Sequence, residues 1–149
     1  MPGSLRRWFV AHFVVDVVFG LPLLLAPAAL LSPLGWTCLD PVAPRLVGAA
    51  LIAIGTQSFL GRDEGADTYR AMLNLKLIWS SSAIVGLLAG IAGGAPPAAW
   101  AFLSMFVAFS GVWTYYRIRL LQMSRATDHP FLDDEADGAA GASTAPRGE

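Results

Sequence analysis

Charge is scarce in this chain. Asp, Glu, Lys and Arg make up 14% of its 149 residues, against roughly 25% in ordinary soluble domains. A globule built from it would have too little polar surface to coat an apolar core. The mean hydropathy of +0.55 points the same way. Lysine is nearly missing, because Lys76 stands alone beside nine arginines. No basic face forms outside short clusters that flank apolar runs, which excludes nucleic acid as a partner. Cysteine is limited to Cys38, which excludes a disulfide scaffold and a CxxC thiol oxidoreductase. No glycine-rich phosphate loop and no serine elbow occurs. His12 and Asp16 fall short of the three or four ligands a metal site needs. The expectation is a protein that is not an enzyme and carries no catalytic residue, cofactor or metal.

What is present is long apolar sequence. A membrane-spanning helix needs about 20 mostly apolar residues. The stretch Leu77 to Tyr116 has no charged residue and is too long for one crossing. Gly93-Gly94-Ala95-Pro96-Pro97 breaks it, since glycine weakens a helix and proline cannot continue one. Two further runs precede it. The expected fold is an all-α, integral membrane four-helix bundle over 1–121. Its spans lie at about 8–28, 42–60, 72–92 and 97–121, with Pro22 and Pro27 kinking or ending the first. Residues 122–149 are expected to form a disordered tail, because the stretch from Ala126 carries six acidic groups against Arg147 and no apolar period. Arg6-Arg7, an apolar stretch and Ala26-Pro27-Ala28 imitate a signal peptide, but His12 and Asp16 interrupt the apolar region and argue against cleavage.

The basic residues predict the orientation. Four spans place both termini and the 61–65 turn on one side, with Arg6, Arg7, Arg62, Arg70, Arg117, Arg119 and Arg125. Arg45 is on the other, where it is expected to face Asp40. The positive-inside rule then puts both termini in the cytoplasm. The nine-to-one bias of arginine over lysine and the Ala, Gly and Pro content suit a GC-rich bacterial genome, so the expected location is a bacterial inner membrane. Trp8, Tyr115 and Tyr116 fall at the inner interface, and Trp36 and Trp100 at the outer one.

Two sets of residues stand out. Ser82, Gly86, Gly90 and Gly94 place a small residue at every fourth position of the third span, a pattern that lets helix backbones approach. Ala49, Ala53, Gly48 and Gly55 offer similar stripes on the second span, and Ala101, Ser104, Ala108 and Gly111 on the fourth. These predict packing inside the bundle, with a dimer face as the alternative. Phe102, Phe106, Phe109 and Trp113 are expected to face lipid or a groove. The second set is polar. His12 and Asp16 share one face of the first span. Asp16, Lys76 and Gln57 lie roughly 12, 9 and 7–8 Å from the inner end of their spans at the helical rise, and Asn74 lies beside Lys76. The expectation is an Asp16–Lys76 ion pair saturated by His12, Gln57 and Asn74. It either fixes helix register or forms a ligand or ion site. Ser80-Ser81-Ser82 is expected to hydrogen bond between helices.

Leu23-Leu24-Leu25-Ala26-Pro27, Leu34-Gly35-Trp36, Arg45-Leu46-Val47-Gly48-Ala49-Ala50-Leu51, Met72-Leu73-Asn74-Leu75-Lys76 and Tyr115-Tyr116-Arg117 carry a resemblance. From Arg6 to Leu120 the chain resembles small four-helix bacterial membrane proteins of the DoxX-like kind. That resemblance implies a four-helix bundle and carries over no catalytic residue. The chain is also similar to the small multidrug resistance exporters, which have four spans and an acidic residue in the first. Asp16 would stand in that place, although Lys76, the charge bias and the tail depart from the pattern. The function expected is an accessory subunit, or a binder of a small lipophilic ligand through the polar cluster. The alternative is a small transporter that uses Asp16. The partners expected are the lipid bilayer and a second membrane chain, either a copy of itself or another protein.

Overall fold

The computed structural model describes residues 3–128. Among them are five α-helices and no strand: α1 (Gly3–Leu25), α2 (Pro27–Leu31), α3 (Val42–Leu60), α4 (Ala66–Ala92) and α5 (Ala98–Asp128). All but α2 are long and apolar enough to cross a membrane. The all-α four-span architecture therefore stands. The boundaries shift outward at three places. α1 begins near Gly3, α4 begins at Ala66, and α5 runs on to Asp128 into the segment expected as tail. Residues 129–149 lie outside the described residues, with most of the expected tail.

The helices run up, down, up and down. At one end, called the near end here, Arg6 Nε lies 2.7 Å from Asp63 Oδ1 in the α3–α4 turn. Tyr69 donates its hydroxyl proton to the Arg62 carbonyl there. At the far end the α1–α3 connection meets the α4–α5 turn, where Gly35 abuts Pro96. Both far turns use a left-handed glycine. Gly94 has φ +88°, the Gly94 amide donates to the Ile91 carbonyl and the Ala95 amide to the Gly90 carbonyl. This closes α4 with the two reversed hydrogen bonds that satisfy carbonyls at a helix end. Gly35, with φ +100°, does the same after the 32–34 turn, where the Trp36 amide donates to the Leu31 carbonyl. Pro22 lies inside α1. The helix ends three residues later at Leu25, and Pro27 opens α2, where a missing amide proton costs least. Asp40 Oδ1 accepts the Val42 amide at 2.9 Å. It thus tethers the start of α3, while Arg45 is exposed.

Two kinds of contact hold the helices. α1 lies along α3, and α4 along α5. The α1–α3 seam is backbone against backbone. A Cβ on Gly48 would stand 2.7 Å from the Gly20 carbonyl oxygen and 2.7 Å from the Leu24 amide nitrogen. The Gly48/Gly55 stripe is thus a packing face, while Ala49 and Ala53 are exposed. The two pairs meet at the near end through large side chains, with Leu5 and Phe9 of α1 against Tyr69 and Leu73 of α4 and Trp113 and Tyr116 of α5. The Phe9 ring centroid lies 4.9 Å from that of Tyr69 and 5.8 Å from that of Trp113.

Within the chain the expected seam on α4 is not a packing seam. A Cβ on Gly86 would meet nothing within 4 Å, and one on Gly90 would meet only Ala95, at 3.9 Å. Ser82 is exposed, and Gly94 belongs to the turn. The Ala101, Ser104, Ala108 and Gly111 stripe of α5 is exposed as well. The aromatic face of α5 points inward instead, and Trp113 is 1% exposed. Small residues were the wrong guide here, because the wide spacing set by Phe9 and Trp113 leaves no close backbone approach for Gly86 to serve.

Gly48→Ala is expected to lower the melting temperature in detergent, because overpacking a fixed backbone contact costs about 1–3 kcal/mol. Gly86→Ala is expected to leave it unchanged or raised, since alanine is the better helix former. Equal losses at the two positions would contradict this packing.

Candidate functional site

Wide spacing between the helix pairs opens a cavity of about 510 Å³. Its walls repeat with the helical period. His12, Asp16, Phe19 and Leu23 come from α1, Lys76, Ser80, Ala83 and Leu87 from α4, and Phe102, Phe106, Phe109 and Trp113 from α5. Residues four and seven apart share a helix face, so each helix presents one stripe to the space. Gly86 and Gly90 also line it. Their lack of side chain hollows the cavity out. Toward the far end the walls are apolar and reach Leu30, Trp36 and Leu39. Trp36, expected in an interfacial belt, thus faces inward.

The polar residues sit at the cavity's inner limit. His12, Asp16 and Lys76 are all buried, at 8%, 3% and 2% exposure. Asp16 fits against α3 because residue 55 is glycine, where a Cβ would stand 2.7 Å from the Asp16 Cβ and 2.9 Å from its Oδ2. Lys76 does not reach Asp16 directly, contrary to the expected ion pair. Its Nζ lies 2.9 Å from His12 Nδ1, and the same ring nitrogen lies 2.7 Å from Asp16 Oδ2. Histidine intervenes because position 12 is one turn nearer the level at which α4 carries Lys76.

One nitrogen cannot serve both neighbours. Nδ1 accepts a proton from Lys76 when the ring proton is on Nε2, or donates toward Asp16 when it is on Nδ1. Asp16 Oδ2 is near enough for an ionic contact yet has no hydrogen-bond partner. Aromatic rings complete the enclosure. Lys76 Nζ is 4.8 Å from the Trp113 ring centroid and 5.2 Å from that of Phe9. A desolvated cation over an aromatic face gains about 2 kcal/mol, comparable with the roughly 2.5–3.5 kcal/mol that inserting a central lysine costs on translocon scales. The His12 ring meets Phe109 and Trp113 edge to face.

Two expected members are elsewhere. Gln57 and Asn74 are exposed, and Asn74 Oδ1 accepts from Arg117 Nε at 2.8 Å. Each lies two residues, about 200° of helical rotation, from the residue that faces the cluster on its own helix, Gly55 and Lys76. Matched depth did not ensure matched direction. The serine run behaves as expected at one position, since Ser110 donates to Ser80 at 2.8 Å. Ser80 donates in turn to the Leu77 carbonyl. The aromatic enclosure by Phe9 and Trp113 was missed. Its signal was the spacing Phe102, Phe106, Phe109, Trp113, which marks one continuous face of α5. Among the described residues no three of His, Cys, Asp and Glu group as metal ligands. No family model, curated protein or solved structure matches the chain.

Asp16→Asn and Lys76→Met are each expected to destabilise the bundle, because leaving one buried charge without its counter-charge costs about 3–5 kcal/mol. The double variant should recover part of that loss in thermal unfolding. Strictly additive losses would show that the two charges are not coupled through His12.

Proposed function

We propose that this chain is a non-enzymatic multi-pass membrane protein that holds a small lipophilic molecule between its two helix pairs, alone or as an accessory subunit. The observation that carries this reading is the cavity. Its volume of about 510 Å³ falls within the roughly 300–1,000 Å³ common for small-molecule sites. Its walls are apolar, with a few polar groups concentrated at one limit, the pattern that seats an apolar body and orients a polar head. The polar cluster is therefore the orienting part of the site as well as a contact between helices.

A second reading, a small transporter working through Asp16, draws on the burial of that carboxylate at a cavity wall. Lys76 beside the same imidazole disfavours export of cations, so binding is the better reading. We further assign the near end to the cytoplasm of a bacterial inner membrane, since among the described residues Arg6, Arg7, Arg62, Arg70, Arg117 and Arg119 belong to it and only Arg45 to the far end. The resemblance to DoxX-like proteins accords with this placement.

Native mass spectrometry of the protein taken directly from membranes is expected to show a bound lipophile. Gly86→Leu should lose it without loss of thermal stability, because the new side chain enters open space. Retention of the bound mass in that variant would refute the site. For orientation, reporter fusions at the C-terminus and in the 61–65 turn should report cytoplasm, and one at Gly94 the opposite side. The reverse pattern would overturn the assignment.

A further inference from the structure

The head group that the cluster selects can be read from what its members leave unused. Asp16 presents a carboxylate whose side chain is 4% exposed and whose Oδ2 faces His12 Nδ1 at 2.7 Å, a nitrogen that can donate to it only when it does not accept from Lys76. While Nδ1 accepts from Lys76, Oδ2 is a buried acceptor short of a donor, a state that burial makes costly. Lys76 is the opposite. An ammonium has three N–H donors and no acceptor, and His12 Nδ1 takes one of them at most. The aromatic faces of Phe9 and Trp113 attract the cation but do not replace a hydrogen-bond acceptor. Ser80 cannot supply the missing donor to Asp16, because its own proton goes to the Leu77 carbonyl. Both charged residues line the cavity.

We propose that the cavity takes an uncharged lipophile with a hydroxyl head, whose O–H donates to Asp16 and whose oxygen accepts from Lys76. This rests on the reading of the cavity as a lipophile site and names the chemistry of its ligand. Complementarity to the two charged residues selects the head. A fatty carboxylate would meet Lys76 favourably and Asp16 unfavourably, and it brings no proton for Asp16. A lipophilic ammonium would meet Asp16 favourably and Lys76 unfavourably, and it brings no acceptor. A hydroxyl is donor and acceptor at one atom, so it satisfies both residues and adds no net charge to a buried pair that is already balanced. A plain hydrocarbon would fill the apolar walls and leave Asp16 Oδ2 without a partner. Beyond the head, Phe19, Leu23, Phe102 and Trp36 form the track for the apolar body toward the far end.

The test uses the full chain in phosphatidylcholine nanodiscs at neutral pH. Trp36, Trp79 and Trp113 line the cavity. Trp8 and Trp100, which are exposed, are replaced by Phe to remove their signal. Four probes share a chain brominated at its far terminus: tetradecanol, tetradecanoate, tetradecylamine and tetradecane. Bromine quenches tryptophan on contact, and a site appears as saturable quenching above the bilayer background. The alcohol is expected to saturate at about tenfold lower membrane mole fraction than each of the others, the ratio that one good hydrogen bond supplies. The Asp16→Leu/Lys76→Met double variant, which leaves neither position a hydrogen-bonding group, should bring the alcohol and the hydrocarbon to equal affinity. Stronger binding of the carboxylate or the amine, or equal binding of all four, would overturn the head-group assignment and leave the lipophile site standing. Absence of saturable quenching by any probe would overturn the lipophile site itself.

Discussion

An ammonium and a carboxylate are buried inside a bundle whose outer surface faces lipid, and a single imidazole stands between them. Everything around that arrangement is built to make it tolerable. Asp16 can sit against α3 only because residue 55 has no side chain. Lys76 can remain inside because Phe9 and Trp113 offer it aromatic faces. His12 is held at the right distance by ring contacts with Phe109 and Trp113. These aromatic residues are also the ones that join the two helix pairs. The enclosure of the charge and the contact between the pairs are thus one structure.

From this follows the shape of the rest. α1 and α3 touch through backbone, at Gly20 and Gly48, so that seam is tight. The two pairs are joined by bulky rings at the near end, so they stay apart along the remainder of their length. Lipid supplies no hydrophobic pressure to close such a gap, because its tails are as apolar as leucine. A void that water-soluble proteins would collapse persists here as a cavity lined by Gly86, Gly90 and Ala83. Ser58 and Ser104 return their hydroxyls to carbonyls of their own helices and add no link across the gap.

The proposed function rests on how the cavity and the cluster divide their tasks. Tight apolar walls orient nothing by themselves. The polar limit would give a bound molecule a preferred end, and the helix stripes on α1, α4 and α5 would give it a direction. On the proposed function one residue set serves stability and recognition together, so a variant at Asp16 or Lys76 is expected to affect both.

By itself the sequence determined the number of spans, the break at residues 93–97, the separation of the basic residues to one end and the helical level of each polar residue. These depend on length, glycine, proline and charge, all of which are local quantities. The tertiary structure alone decided rotation. It turned Gln57 and Asn74 outward, put His12 between Asp16 and Lys76, left Gly86 without a helix contact, and chose the groove rather than lipid for Trp113. In a soluble helix the apolar stripe would have announced the inner face. Here both faces of every span are apolar, with Ile78 and Val85 exposed at 67% and 68%, because the solvent outside is hydrocarbon. Rotation is then chosen by the few contacts that discriminate, glycine against backbone and aromatic ring against cation, and those exist only once the helices are side by side.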